Sequence, residues 1–141
     1  MEHLGSIVDY GVIGLLVIMS VIALSITIER YLTYKKIDLE QFHDKRELEF
    51  ELTRRLHFIA TIGSNAPYIG LLGTVLGIMA TFYTMGTEGL FDTGKIMIGL
   101  ALALKATAAG LLVAIPAIVF YNLLLRKVKE IVLRWELEHG R

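Results

Sequence analysis

The chain has 141 residues, 55% of them hydrophobic, and its 14 acidic and 14 basic side chains cancel to zero formal net charge at a mean hydropathy of +0.60. That balance offers no basic excess for nucleic acid and leaves little sequence for a water-soluble domain. No cysteine is present, which excludes disulfides, thiolate metal sites and cysteine nucleophiles.

Residues 10–28 and 68–85 contain no Asp, Glu, Lys or Arg, and residues 96–125 contain one such residue, Lys105. Each run is about as long as a bilayer-spanning helix, which needs roughly 20 residues at about 1.5 Å per residue. The pattern predicts an all-α membrane protein with three transmembrane helices. Arg30, Lys35, Lys36, Lys45, Arg46, Arg54 and Arg55 lie between the first and second runs, and Arg126, Lys127, Lys129, Arg134 and Arg141 follow the third, which makes 12 of the 14 basic residues. Glu2, Asp9, Glu88 and Asp92 share the other side with only Lys95. The positive-inside rule therefore places the N-terminus outside and the C-terminus in the cytoplasm. The start Met1-Glu2-His3 lacks the positive region of a cleavable signal peptide, so the first run reads as a retained anchor. Tyr10, Tyr31, Tyr34, Tyr68, Phe82, Tyr83, Phe120 and Tyr121 fall near run ends, where amphipathic rings suit the headgroup level.

In chain order, residues 1–29 form the first span, 30–65 a cytoplasmic helical linker, 66–125 the second and third spans with an outer loop at 86–95, and 126–141 a cytoplasmic helix end. In the linker, Leu48, Leu52, Leu56 and Ile59 make the inner face of a charged helix, and Gly63, Ser64, Asn65, Ala66 and Pro67 read as a turn before the second span. The third run is too long for a bilayer, and Val128, Ile131, Val132 and Trp135 extend it with a helical apolar stripe. The second and third helices are thus expected to continue toward a cytoplasmic helical bundle.

The stretch from Gly89 to Ile96 nearly matches a phosphate-binding loop. It lacks the final hydroxyl, because Ile96 stands there, and it joins two membrane helices instead of following a strand. His3, His43, His57 and His139 are scattered without metal-ligand spacing. With no nucleophile, metal cluster or carboxylate pair, the chain reads as a non-enzyme without cofactor or metal.

The second span is more informative. Gly70, Gly73 and Gly77 allow close helix approach, and Gly73-xxx-Gly77 is a packing face. Thr74 lies between these glycines. Counted from the loop side, Thr74 and Thr107 are each 11 residues into their runs, so on antiparallel neighbours both hydroxyls sit about 16 Å deep, near mid-membrane. A membrane threonine commonly bonds its own i−4 carbonyl. Two threonines at one level also allow a polar ring in an apolar pore.

Together, Ala66-Pro67, the run from Gly70 to Met79, the run from Ala106 to Ala117 and Phe120-Tyr121-Asn122 resemble the MotA/TolQ/ExbB proton-channel family, most closely its three-span ExbB branch. The likeness covers the second and third spans, about half the chain. It implies a ring-forming homo-oligomer, a pentamer, in the bacterial inner membrane, whose second and third spans line a central pore at Thr74 and Thr107. It adds Gly110 and Pro116 to the candidate packing positions. It further implies an ExbD/TolR-like single-span partner with an intramembrane aspartate that takes up and releases protons, and a TonB-like protein that receives the mechanical output. A TolQ-like role in an envelope-integrity motor and a passive membrane scaffold are the alternatives. Two features depart from the family pattern: Leu102 stands where a glutamate is common, and the 30–65 linker is short. Lys105 lies about 200° around its helix from Thr107. A charge at this depth needs a counterpart, and three readings stand side by side: pairing with a partner's acid or a lipid headgroup, bonding to carbonyls or hydroxyls at a subunit interface, and direct proton relay.

Overall fold

A computed structural model describes residues 2–89 and 91–140, with side chains from Gly5 onward. The readings that touch Met1, Leu90 and Arg141, and the side chains of Glu2 and His3, lie outside what is described. Among the described residues four α-helices follow one another: α1 (Glu2–Lys36), α2 (Lys45–Thr53), α3 (Leu56–Glu88) and α4 (Thr93–His139). A single 3-10 turn, Leu39–Gln41, links α1 to α2.

The boundaries have local causes. Asp38, Asp44 and Asp92 stand just before the 3-10 turn, α2 and α4, and each side chain accepts a backbone N–H two residues on, at 3.0, 2.9 and 2.9 Å. This satisfies donors that a helix start leaves without partners. Gly89 closes α3 at φ 69, where its N–H bonds the Met85 carbonyl at 3.0 Å. The stretch that resembled a phosphate loop thus supplies a helix stop, a helix start and the first turn of α4.

α1, α3 and α4 are each long and apolar enough to cross a membrane. At 47 residues α4 extends about 70 Å, more than twice a hydrocarbon core of roughly 30 Å. The surplus collects away from the α3–α4 loop, and this is where the main core lies. There Leu48, Leu52, Leu56 and Ile59 pack with Val128, Ile131, Val132 and Trp135, all buried. We call this the bundle end and the other the loop end. Among the described residues a second buried cluster lies within the spans, formed by Leu16, Ala66 and Ala114 with Val12, Met19 and Ile69 against it. Large apolar side chains such as Leu72, Val75, Leu104 and Leu112 face outward, as suits helices bathed in lipid or covered by further chains.

Two sequence expectations change here. Residues 63–67 are not a turn, because α3 runs through them and through Pro67. Asn65 donates to the Thr61 carbonyl at 2.8 Å and Ser64 donates to the same carbonyl at 3.2 Å, so the polar side chains fold back on the helix. Gly63 and Ala66 are meanwhile buried, with Gly63 against Ile118 of α4. The small residues that suggested a turn serve close packing instead. Leu48, Leu52, Leu56 and Ile59 do share an inner face, but across two helices broken at Arg54 and Arg55, where Arg55 has φ 72.

α1 supports that break. Arg30 is fully buried and donates through Nη1 to the Glu51 carbonyl at 2.7 Å, and the Tyr34 hydroxyl donates to the Leu52 carbonyl. These carbonyls belong to the last turn of α2, which has no helical donor for them. A cation there also complements the negative end of the helix dipole. Trp135 Nε1 donates to the Phe42 carbonyl at 3.0 Å and ties α4 to the segment between the 3-10 turn and α2.

Candidate functional site

On α3, Gly70, Gly73, Thr74 and Gly77 share one face at i, i+3, i+4 and i+7, and on α4 Ala103, Ala106, Thr107 and Gly110 repeat the spacing. The structure sets the two faces together. A Cβ on Gly70 would lie 2.5 Å from the Ala106 carbonyl oxygen, and one on Gly110 would lie 2.6 Å from that of Ala66. Gly73 meets Ala106 of α4 and Val12 of α1, and Gly77 meets Ala103. Pro116 is exposed on α4.

Close approach brings the two threonines into contact. The Thr74 hydroxyl lies 2.8 Å from the Ala103 carbonyl and is hydrogen-bonded to the Thr107 hydroxyl. Thr74 is buried, whereas Thr107 is half-buried. Of the alternatives open from spacing, Thr74 takes an interhelical bond and not its own i−4 carbonyl. Thr81, one heptad away, takes the local option, bonding Gly77 at 3.0 Å. A hydroxyl has one proton to give. With Thr74 donating to Ala103, Thr107 donates to Thr74, and the oxygen of Thr107 keeps both lone pairs as acceptors.

Lys105 has a partner that sequence reasoning did not weigh: its Nζ lies 3.1 Å from Asp9 Oδ2 on α1. The one sequence reading that gave Lys105 a carboxylate placed it on a partner chain, and Asp9 counts there with the outer acids. The signal was an acid one residue before an apolar run. The pairing itself spans 96 residues and depends on which helix faces meet. Beside the pair, at the loop end, a cleft of about 490 Å³ opens between α1, α3 and α4, lined among others by Ser6, Thr81, Thr84 and Lys95.

The sequence is similar to known proteins over most of its length. The model of the MotA/TolQ/ExbB proton channel family matches residues 25–137. The biopolymer transport protein ExbB of Aquifex aeolicus is 56% identical over 140 residues, which cover 99% of this chain and 95% of that protein. The putative biopolymer transport protein ExbB-like 2 of Helicobacter pylori is 56% identical over 132 residues, 94% of this chain and 88% of that protein. The Tol-Pal system protein TolQ of Pseudomonas aeruginosa is 47% identical over 74 residues, 52% of this chain and 32% of that protein.

Proposed function

The chain belongs to the MotA/TolQ/ExbB proton channel family, and we propose that it is the ring-forming subunit of a proton-driven motor in the bacterial inner membrane. Copies assemble as a pentamer with the bundle end in the cytoplasm, and α3 and α4 line a central pore. A single-span partner of the ExbD/TolR type inserts there, and a TonB-like protein takes up the mechanical work for outer-membrane transport. The Lys and Arg bias of the linker and tail supports the orientation. The outward apolar faces of α1, α3 and α4 support assembly.

The observation that carries this reading is the Thr74–Thr107 hydroxyl pair inside runs that contain no carboxylate. A proton path needs a titratable group, and in this reading it comes from an aspartate of the partner. A protonated carboxyl donates a hydrogen bond to a free lone pair of Thr107. A carboxylate offers only acceptors, so it binds there only if the Thr107 hydroxyl turns away from Thr74. The charge state of the partner's aspartate then decides which subunit its helix rests against, and a proton gradient becomes movement.

The test is co-reconstitution with a single-span protein of the ExbD/TolR type, in liposomes carrying a pH gradient. Proton flux that needs both chains and falls in T74V/T107V supports the motor. Equal flux with and without the partner, or a complex that assembles and never conducts, favours the scaffold. The match to TolQ over half the chain keeps an envelope-integrity role as the second reading, separated from the first by which outer-membrane function fails when the gene is deleted.

A further inference from the structure

Asp9 and Lys105 join helices that meet at the threonine site, and we propose that they form an intramembrane latch that positions α4 so that Thr107 meets Thr74. Lys105 lies nine residues into its apolar run, about 14 Å deep, and is the only Asp, Glu, Lys or Arg in any of the three runs. It bonds α1 from one side of α4, while Thr107, two residues on, bonds α3 from another. Asp9 also continues a working face of α1. Val12, one turn on, touches Gly73 beside Thr74, and Leu16, seven residues on, is buried. The α1 face thus ends in a carboxylate where the apolar run of α4 offers its one ammonium.

The depth explains why the pair acts as a latch. In water, a pair with side chains 52% and 27% exposed would be worth little. At membrane depth a lone ammonium or carboxylate is costly, so each charge holds the other's helix in place. The same ammonium points away from the threonine pair, which makes Lys105 and Asp9 positioning residues and leaves proton transfer to the threonines and the partner.

The latch rests on the motor reading only for its effect on flux, so its test avoids flux. The chain has no cysteine, and a T74C/T107C disulfide in the full-length chain in membranes therefore reports the register of α3 against α4. D9N and K105M, each leaving one charge alone, should lower both the membrane-inserted yield and the disulfide fraction of what remains, the yield by at least about tenfold. The reversed pair D9K/K105D and the neutral pair D9N/K105M should recover yield, and the reversed pair should also recover the disulfide. If a single variant fails to accumulate, the two double variants still decide. Single variants with wild-type yield and cross-linking, or double variants no better than the worse single, overturn the latch. Intact cross-linking in variants with reduced yield would reduce the pair to a stabilising contact without a positioning role.

Discussion

Gly70 and Gly110 face each other across the α3–α4 crossing: a Cβ built on either would lie 3.1 Å from the Cα of the other and closer still to a backbone carbonyl. Neither obstacle is a flexible side-chain end, so an added methyl must push the helices apart. G70A and G110A should each cost about 1–3 kcal/mol and weaken the Thr74–Thr107 contact, one turn from Gly70. G14A, where nothing lies within 4 Å of the added atom, is the control and should leave stability unchanged. Thermal unfolding of the purified chain in mild detergent checks this, and equal effects at positions 14 and 70 would contradict the crossing.

The threonine pair makes a graded prediction. Valine keeps the shape and deletes the hydroxyl, and an intramembrane hydrogen bond is worth about 0.6–2 kcal/mol. T74V and T107V should therefore each reduce flux in part and the double variant severely, with assembly preserved. T107S, which keeps donor and acceptor, should conduct nearly as the wild type. Normal flux through an assembled double variant would remove these hydroxyls from the path.

What the sequence discloses here is mostly periodic. Three charge-poor runs, the stripe from Val128 to Trp135 and the inner face from Leu48 to Ile59 follow from spacing alone, and the equal depth of Thr74 and Thr107 follows from counting. The hidden features are those decided by a second helix. Residues 63–67 carry the composition of a turn, yet burial of Gly63 and Ala66 against α4 outweighs local preference. Asp9 reads as a surface acid until α1 is laid beside Lys105. Arg30 counts as one more cytoplasmic cation until α2 ends beside it.

Arg30 gives the third prediction. Its guanidinium serves the Glu51 carbonyl and holds Glu29 at 2.5–2.7 Å, and it is fully buried in doing so. R30M should cost about 1.5–3 kcal/mol, the range for hydrogen bonds to a charged group, by stranding the α2 carbonyl and leaving Glu29 only Thr33 and the more distant Arg55. R30K should recover only part, because an ammonium lacks the planar fork that reaches both partners. Trp135, the sole tryptophan, is buried in this bundle, so its fluorescence in urea unfolding reads the loss directly.

Arg55 makes the opposite prediction, since its side chain and its backbone pull in different directions. It holds φ 72 between α2 and α3 without being glycine, a conformation that costs an ordinary residue about 1–2 kcal/mol. Its guanidinium returns little: it is half-exposed, 3.7 Å from Glu29, and Arg30 already bonds that carboxylate. An exposed pair of this kind contributes about 0–1 kcal/mol. R55G removes the strain and the weak pair together, so bundle stability should stay level or rise by up to about 1 kcal/mol. R55A loses the pair and keeps the strain, and it should be the less stable of the two. Urea midpoints followed by Trp135 fluorescence order the variants; if R55G falls as far as R55A or further, the arginine side chain, and not the turn it occupies, is what the junction requires.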